Sequence, residues 1–217
     1  MEMEKQENSA IVDVINWIKR NKNPFFGTII SVIVVALIIT FVCVRIQMVR
    51  AAASDKLDTA TKIIASGNLE QGLSLINDII ITYRNTPAAF RAIIIKASNL
   101  LFDKKYEEAE ALLKFYIERA VPVSVRPIGY PLLISLYDDN NNVEQAITLS
   151  KDFLAKYPDN YLVPSVMENL ARLYELAGKQ DEAKEVYGEL LTKYPQRLKA
   201  DQTEQTEQAE QTEEKAN

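Results

Sequence analysis

Residues 169–195 read NLARLYELAGKQDEAKEVYGELLTKYP, and their spacing predicts two helices joined by a tight turn. Leu170, Ala171 and Tyr174, with Met167 just upstream, mark one face of a first helix, which Gly178 ends. Ala183, Tyr187 and Leu190 mark one face of a second, and Pro195 stops it. A small residue belongs where two helix axes approach closely, and a large aromatic fills the space beside it.

The same unit recurs upstream. Stepping back from Ala183 by 37 residues reaches Ala146, then Ala109, then Gly72. That register also aligns Ala60, Ala97, Ile134 and Ala171 on the preceding helix, and Ile63, Leu100, Tyr137 and Tyr174 one turn later. Turns fall between the helices at Gly67, Lys104, Asn141 and Gly178. A fixed period of this size marks a stack of supersecondary units. One helix pair cannot bury its apolar face alone, whereas four stacked pairs cover one another. The expected fold is all-α, with about four helix pairs over residues 47–196.

Ahead of the repeats, Phe25 to Val44 reads FFGTIISVIVVALIITFVCV, twenty residues without a charge. That is about the length a helix needs to cross roughly 30 Å of hydrocarbon, and residues 25–46 are expected to form a transmembrane helix. Signal-peptide apolar regions are shorter, and Arg45 and Arg50 occupy the place of an uncharged cleavage region. The residues before Cys43, Thr40 to Val42, do not fit the small-residue pattern of lipoprotein processing. From Phe25 to Ala65 there is no proline and Gly27 is the one glycine, so span and first repeat helix are expected to be continuous.

Residues 1–24 form a short arm. After Asn8 and Ser9, Ile11, Val14, Ile15 and Ile18 fall at helical spacing beside Trp17, followed by Lys19, Arg20 and Lys22. This reads either as an amphipathic helix at the membrane surface or as a plain helical leader to the span. Flanking charge does not orient the span: Lys5, Lys19, Arg20 and Lys22 precede it, and Arg45, Arg50, Lys56 and Lys62 follow. Beyond Pro195, residues 197–217 include QTEQTEQAEQTEE, a period-three polar run with no apolar face, expected to be a disordered acidic tail.

Composition narrows the function. The chain of 217 residues has no histidine, which removes the usual general base and the commonest zinc ligand. Its single cysteine, Cys43, lies in the apolar segment, so no intramolecular disulfide and no Cys-rich metal site is possible. Residues 201–217 carry six acidic groups against Lys215, which accounts for the whole net charge of −5. The rest is neutral and offers no basic stripe to nucleic acid. Asp138 and Asp139, followed by Asn140, Asn141 and Asn142, lack the alternation, glycine and closing glutamate of a calcium loop and read as a polar turn. No nucleophile–base pairing, phosphate loop or metal constellation stands out; the expectation is a non-enzyme with no cofactor, metal or small-molecule substrate.

The fourth unit, through Leu170, Ala171, Tyr174, Gly178, Ala183, Tyr187 and Pro195, resembles the tetratricopeptide repeat. The third contributes Tyr130, Leu133, Tyr137, Ala146 and Pro158, the second Ala97, Tyr106 and Ala109, and the first Ala60, Gly67, Leu69 and Gly72. The resemblance implies a right-handed α-solenoid. The period of 37 in place of the family's 34 is assigned to longer links after Tyr83, Ala120 and Pro158.

The resemblance also implies a partner-binding groove lined by the first helix of each pair. Carried across, its positions are Arg91, Ile94, Ser98, Leu101 and Phe102; Ile128, Ser135 and Asp138; and Glu168, Arg172 and Glu175. The plain alternative is that Leu101 and Phe102 pack under a neighbouring helix. A carboxylate clamp is not expected, because Leu57 and Thr61 stand at the corresponding positions.

One span followed by a small repeat domain further resembles the ancillary subunits of the bacterial SecYEG translocon. That resemblance implies an inner-membrane scaffold with a cytoplasmic N-terminus and a periplasmic repeat domain. Its partners would be translocon subunits, a membrane-bound chaperone or exported polypeptides, together with the lipid bilayer. The alternative is a self-associating structural protein of the cell envelope or division machinery.

Overall fold

The computed structural model describes residues 22–195. The arm before Lys22 and the acidic tail, with the expectations attached to them, lie outside the described residues. Among the described residues there are eight α-helices, one 3-10 helix and no strand. They part into two compact units between Ala52 and Ala53.

Helix α1 runs from Lys22 to Ala65 and takes in both the apolar segment and the first helix of the repeats. Pro24 sits in its first turn, where a missing N–H leaves no bond unmade. The apolar side chains are exposed, among them Val32, Leu37 and Phe41, and the helix is long and apolar enough to cross a membrane. Ser31 and Thr40 return their hydroxyls to the carbonyls of Gly27 and Ala36, at 2.9 and 2.8 Å, so neither presents an unpaired donor.

From Ala53 onward the chain is a stack of helix pairs. The end of α1 pairs with α2 (Leu69–Thr82). Then follow α3 (Pro87–Phe102) with α4 (Tyr106–Arg119), α5 (Gly129–Asp139) with α6 (Val143–Lys156), and α7 (Val163–Leu176) with α8 (Gln180–Lys193). The second helix of every pair has 14 residues and starts 37 after the one before.

The turns within the pairs share one backbone arrangement. Gly67, Lys104, Asn141 and Gly178 all have positive φ, at 91°, 59°, 57° and 75°. In each, the N–H of the next residue donates to a carbonyl five back: Asn68 to Ile63, Lys105 to Leu100, Asn142 to Tyr137 and Lys179 to Tyr174. The positive-φ residue itself donates three back. This pair of bonds is the Schellman arrangement, which satisfies carbonyls that a helix end otherwise leaves open.

The core follows the register. Ala60, Ala97, Ile134 and Ala171 are wholly buried, as are Ala109 and Ala146, and Ala183 is nearly so. At the first pair even a methyl is too large: a Cβ on Gly72 would lie 2.3 Å from Ile64 Cγ1 and 3.2 Å from the Ala60 carbonyl oxygen. Larger residues, such as Leu57, Leu113, Phe153 and Leu173, fill the space between pairs, and burying each such side chain contributes about 1.5–3 kcal/mol.

The links between pairs differ from expectation in one place. Before α4, four residues of link precede sixteen of helix; before α6, nine precede eleven; before α8, six precede fourteen. After Tyr83, therefore, the extra length lies in α3 and not in a longer loop. Thr86 caps α3 by accepting the Ala89 N–H at 3.2 Å, and Pro87 follows in its first turn. The longest link holds the 3-10 helix Val123–Ile128, tied down by Tyr116 Oη donating to the Val125 carbonyl and Arg126 Nε donating to that of Ala120.

Candidate partner-binding groove

The first helices of the last two pairs, α5 and α7, meet α8 around a cleft of about 410 Å³. Pro131 and Ile134 line it from α5, Ser165, Val166, Glu168, Asn169 and Arg172 from α7, and Tyr187 from α8. Glu168 and Arg172 are thus brought together in one cleft. Arg172 reaches across to α5, pairing with the Asp138 carboxylate and donating to Asn169 Oδ1 at 2.6 Å. Glu175, one turn further along α7, is exposed, and it and Glu168 both act on the Tyr187 phenol. Burial and then these two carboxylates push that phenol above its ordinary value, while Arg172 opposes them.

The other groove positions divide. On α3, Arg91 and Ser98 are exposed and Ile94 and Leu101 are half-buried, packed against the core. Phe102 is 85% exposed, so it is not packed under a neighbouring helix. Leu101 is partly so, as the plain alternative supposes. Ser135 is half-buried on α5, and Ile128 ends the 3-10 helix with its side chain exposed.

Tyr187 belongs to this surface although its spacing marks it as a packing residue. Its register equivalents Ile76, Leu113 and Ser150 are wholly buried. Among the described residues no further pair follows α8, and Tyr187 is left half-buried. The change from an aliphatic or small residue to an amphipathic one at the last copy is the signal in the sequence.

Elsewhere polar groups serve the fold. Tyr137 Oη donates to Glu110 Oε1 at 2.9 Å, joining α5 to α4. Lys114, and then Tyr137, hold the Glu110 carboxyl below its ordinary value. Tyr130, Phe153 and Tyr157 form an edge-on and tilted cluster, with Tyr130 Oη donating to Asp152 at 3.1 Å. Among the described residues no group of three or more acidic or sulfur ligands is placed to hold a metal.

Residues 165–197 match the family model described as Tetratricopeptide repeat. No curated protein matches the chain by sequence. Solved structures share its fold. The crystal structure of MamA is 17% identical with a TM-score of 0.55, covering 68% of this chain and 81% of that one. MamA from Desulfovibrio magneticus RS-1, residue 41 to its end, is 16% identical at 0.52, covering 64% and 74%. A structure of nearly identical TPR-like repeats from Podosopora anserina is 15% identical at 0.54, covering 68% and 77%. At these identities the likeness is one of architecture: from Ala53 onward the described residues form a tetratricopeptide-like helical solenoid.

Proposed function

We propose that the chain is a non-enzymatic scaffold, anchored in the bacterial inner membrane by α1, that binds protein partners along the face formed by α3, α5 and α7. In this reading the N-terminus is cytoplasmic and the repeats are periplasmic. The partners are components of the Sec translocon or of the chaperone network around it. The observation that carries the binding role is the cleft between α5, α7 and α8, and Phe102 is exposed on α3. A stack whose helices already hold one another presents such a face at little ordering cost, and only the partner loses freedom on binding. Tetratricopeptide repeats generally mediate protein–protein interactions, and the architecture of one apolar helix followed by four pairs supports the translocon assignment.

Self-association by end-to-end stacking has less support. On the face that the next pair covers in interior copies, Lys184 stands exposed where its equivalent Ile147 is buried, which sets a charge on the end of the described stack.

The reading is tested by photo-crosslinking in intact cells from positions 102 and 175, with position 78 on α2 as control. Expected are adducts with translocon or periplasmic chaperone subunits from the first two positions only. Adducts with soluble cytoplasmic proteins alone would refute the assignment. Protease protection in sealed inner-membrane vesicles tests the orientation: a repeat domain digested from the cytoplasmic side overturns it.

A further inference from the structure

The chemistry of the groove changes along its length, and that change constrains what binds there. This inference rests on the reading of the α3, α5 and α7 face as the binding surface. At the C-terminal end of α3 the exposed or half-exposed groove positions Phe102, Leu101, Ser98 and Ile94 carry no charge, and the one charged groove position of α3, the exposed Arg91, lies about three turns away from Phe102. Towards α7 the cleft itself is lined by Glu168 and Arg172, and two more carboxylates stand beside it: Asp138, which with Asn169 engages Arg172, and Glu175, which acts on the Tyr187 phenol. Among these four charged side chains three are acidic and one is basic.

We propose that the groove takes a partner segment bearing a lysine or arginine for the α5–α7–α8 cleft and an apolar side chain for Phe102. The cleft of about 410 Å³ admits a long side chain. The Tyr187 ring at its wall supplies an aromatic face in an acidic setting, which favours a cation. Two helix-to-helix steps separate the ends, roughly 16–20 Å at the usual packing distance, which an extended chain covers in roughly five or six residues. The chain's own C-terminal stretch 201–217, six acids against Lys215, has the wrong sign to be the occupant.

The probe is a dye-labelled ten-residue peptide with a leucine near one end and two lysines about six residues on, read by fluorescence anisotropy against the full chain in detergent. Its counterparts carry glutamate for lysine or serine for leucine. The lysine peptide should bind about tenfold more tightly than its glutamate counterpart at low salt, with the gap closing as salt screens the charges. Glu168→Gln with Glu175→Gln should weaken it several-fold. Arg172→Gln should tighten it, because it releases the Asp138 carboxylate; a merely structural role for the pair predicts loss. Phe102→Ser should weaken the lysine peptide and leave the serine counterpart unchanged.

Equal or tighter binding of the glutamate peptide, or weakening by Arg172→Gln with unchanged circular dichroism, overturns the charge assignment. If the glutamate or another non-basic peptide binds and Phe102→Ser abolishes it, the groove remains a binding surface and this inference alone falls. If no peptide binds, neither these three nor a random-sequence array, the binding reading falls with it.

Discussion

Lys104 stands in the left-handed region at φ 59°, where Gly67 and Gly178 stand in the equivalent turns. For a residue with a Cβ this conformation costs roughly 1–2 kcal/mol. Glycine removes that cost but gives the unfolded chain more freedom, which offsets about 0.5–1 kcal/mol. The difference predicts that Lys104→Gly stabilises the repeats by about 0.5–1 kcal/mol, a rise in melting temperature of about 2–3 °C for a domain of this size. Lys104 is exposed, so packing does not enter. The assay is thermal unfolding of the full chain in detergent, followed by far-ultraviolet circular dichroism. Lys104→Ala is the control: it removes the charge and keeps the strained conformation, and should leave the melting temperature within a degree of its starting value. Asn141→Gly, at φ 57°, should gain less, because asparagine tolerates this region better than lysine. If Lys104→Gly destabilises, or if Lys104→Ala stabilises as much, the shared Schellman turn is not what sets the energy at this position.

Two other glycines should respond with opposite signs. Gly188 lies inside α8 with nothing within 4 Å of an added Cβ, so Gly188→Ala should stabilise by about 0.5–1 kcal/mol in the same melt. Gly129 opens α5 against α4, where a Cβ would meet Tyr116 Cδ1 at 2.8 Å and Ile117 Cγ1 at 2.9 Å. Gly129→Ala should destabilise by about 1–2 kcal/mol once helix propensity is set against overpacking. Thr86→Ala, which removes the cap of α3, should cost about 1 kcal/mol. Tyr137→Phe should cost about 1 kcal/mol by removing the bond to Glu110. Because the Glu110 carboxyl is held below its ordinary value in the fold, its contribution is present above the unfolded value and is lost as pH falls through the folded one. Tyr137→Phe should therefore move the Glu110 titration, followed by its carboxyl carbon resonance, towards higher pH. Lys114, the larger cause, should keep it below the ordinary value.

The elements most legible in the sequence are those the period controls. Gly67, Lys104, Asn141 and Gly178 share a register position, and they share one backbone conformation although two of them are not glycine. The turn is fixed by the helices on either side, so position carries more information there than residue type. The links are less legible because nothing repeats in them. After Tyr83 the expectation was a longer loop, yet Thr86-Pro87 is a cap followed by a first-turn proline, a local start signal for α3 that outweighs the family's spacing. The 3-10 turn at Val123–Ile128 depends on contacts from Tyr116 and Arg126, which lie outside any local pattern. In the groove, spacing finds Asp138, Glu168 and Arg172 on one face but cannot show that Arg172 crosses to Asp138. It also misses Tyr187, whose role departs from that of its copies because the stack of described helices ends beside it.

Four copies in one chain allow each register position to be compared under nearly the same geometry, and the comparison separates the demands of folding from those of binding. Where helices touch within a pair, residue size repeats: Gly72, Ala109, Ala146 and Ala183 are all small, since anything larger forces the axes apart. In the turns the conformation repeats while the residue varies. At the groove positions neither repeats. Leu101, Asp138 and Glu175 are equivalent and run from apolar to acidic, while Phe102, Asp139 and Leu176, also equivalent, are apolar, acidic and apolar, and neither set disturbs a helix boundary. Exposed side chains on a helix face contribute little to stability, so folding leaves these positions free to differ. In the reading proposed above, what lies against this face sets its composition. The groove is therefore where the search for this protein's partner begins.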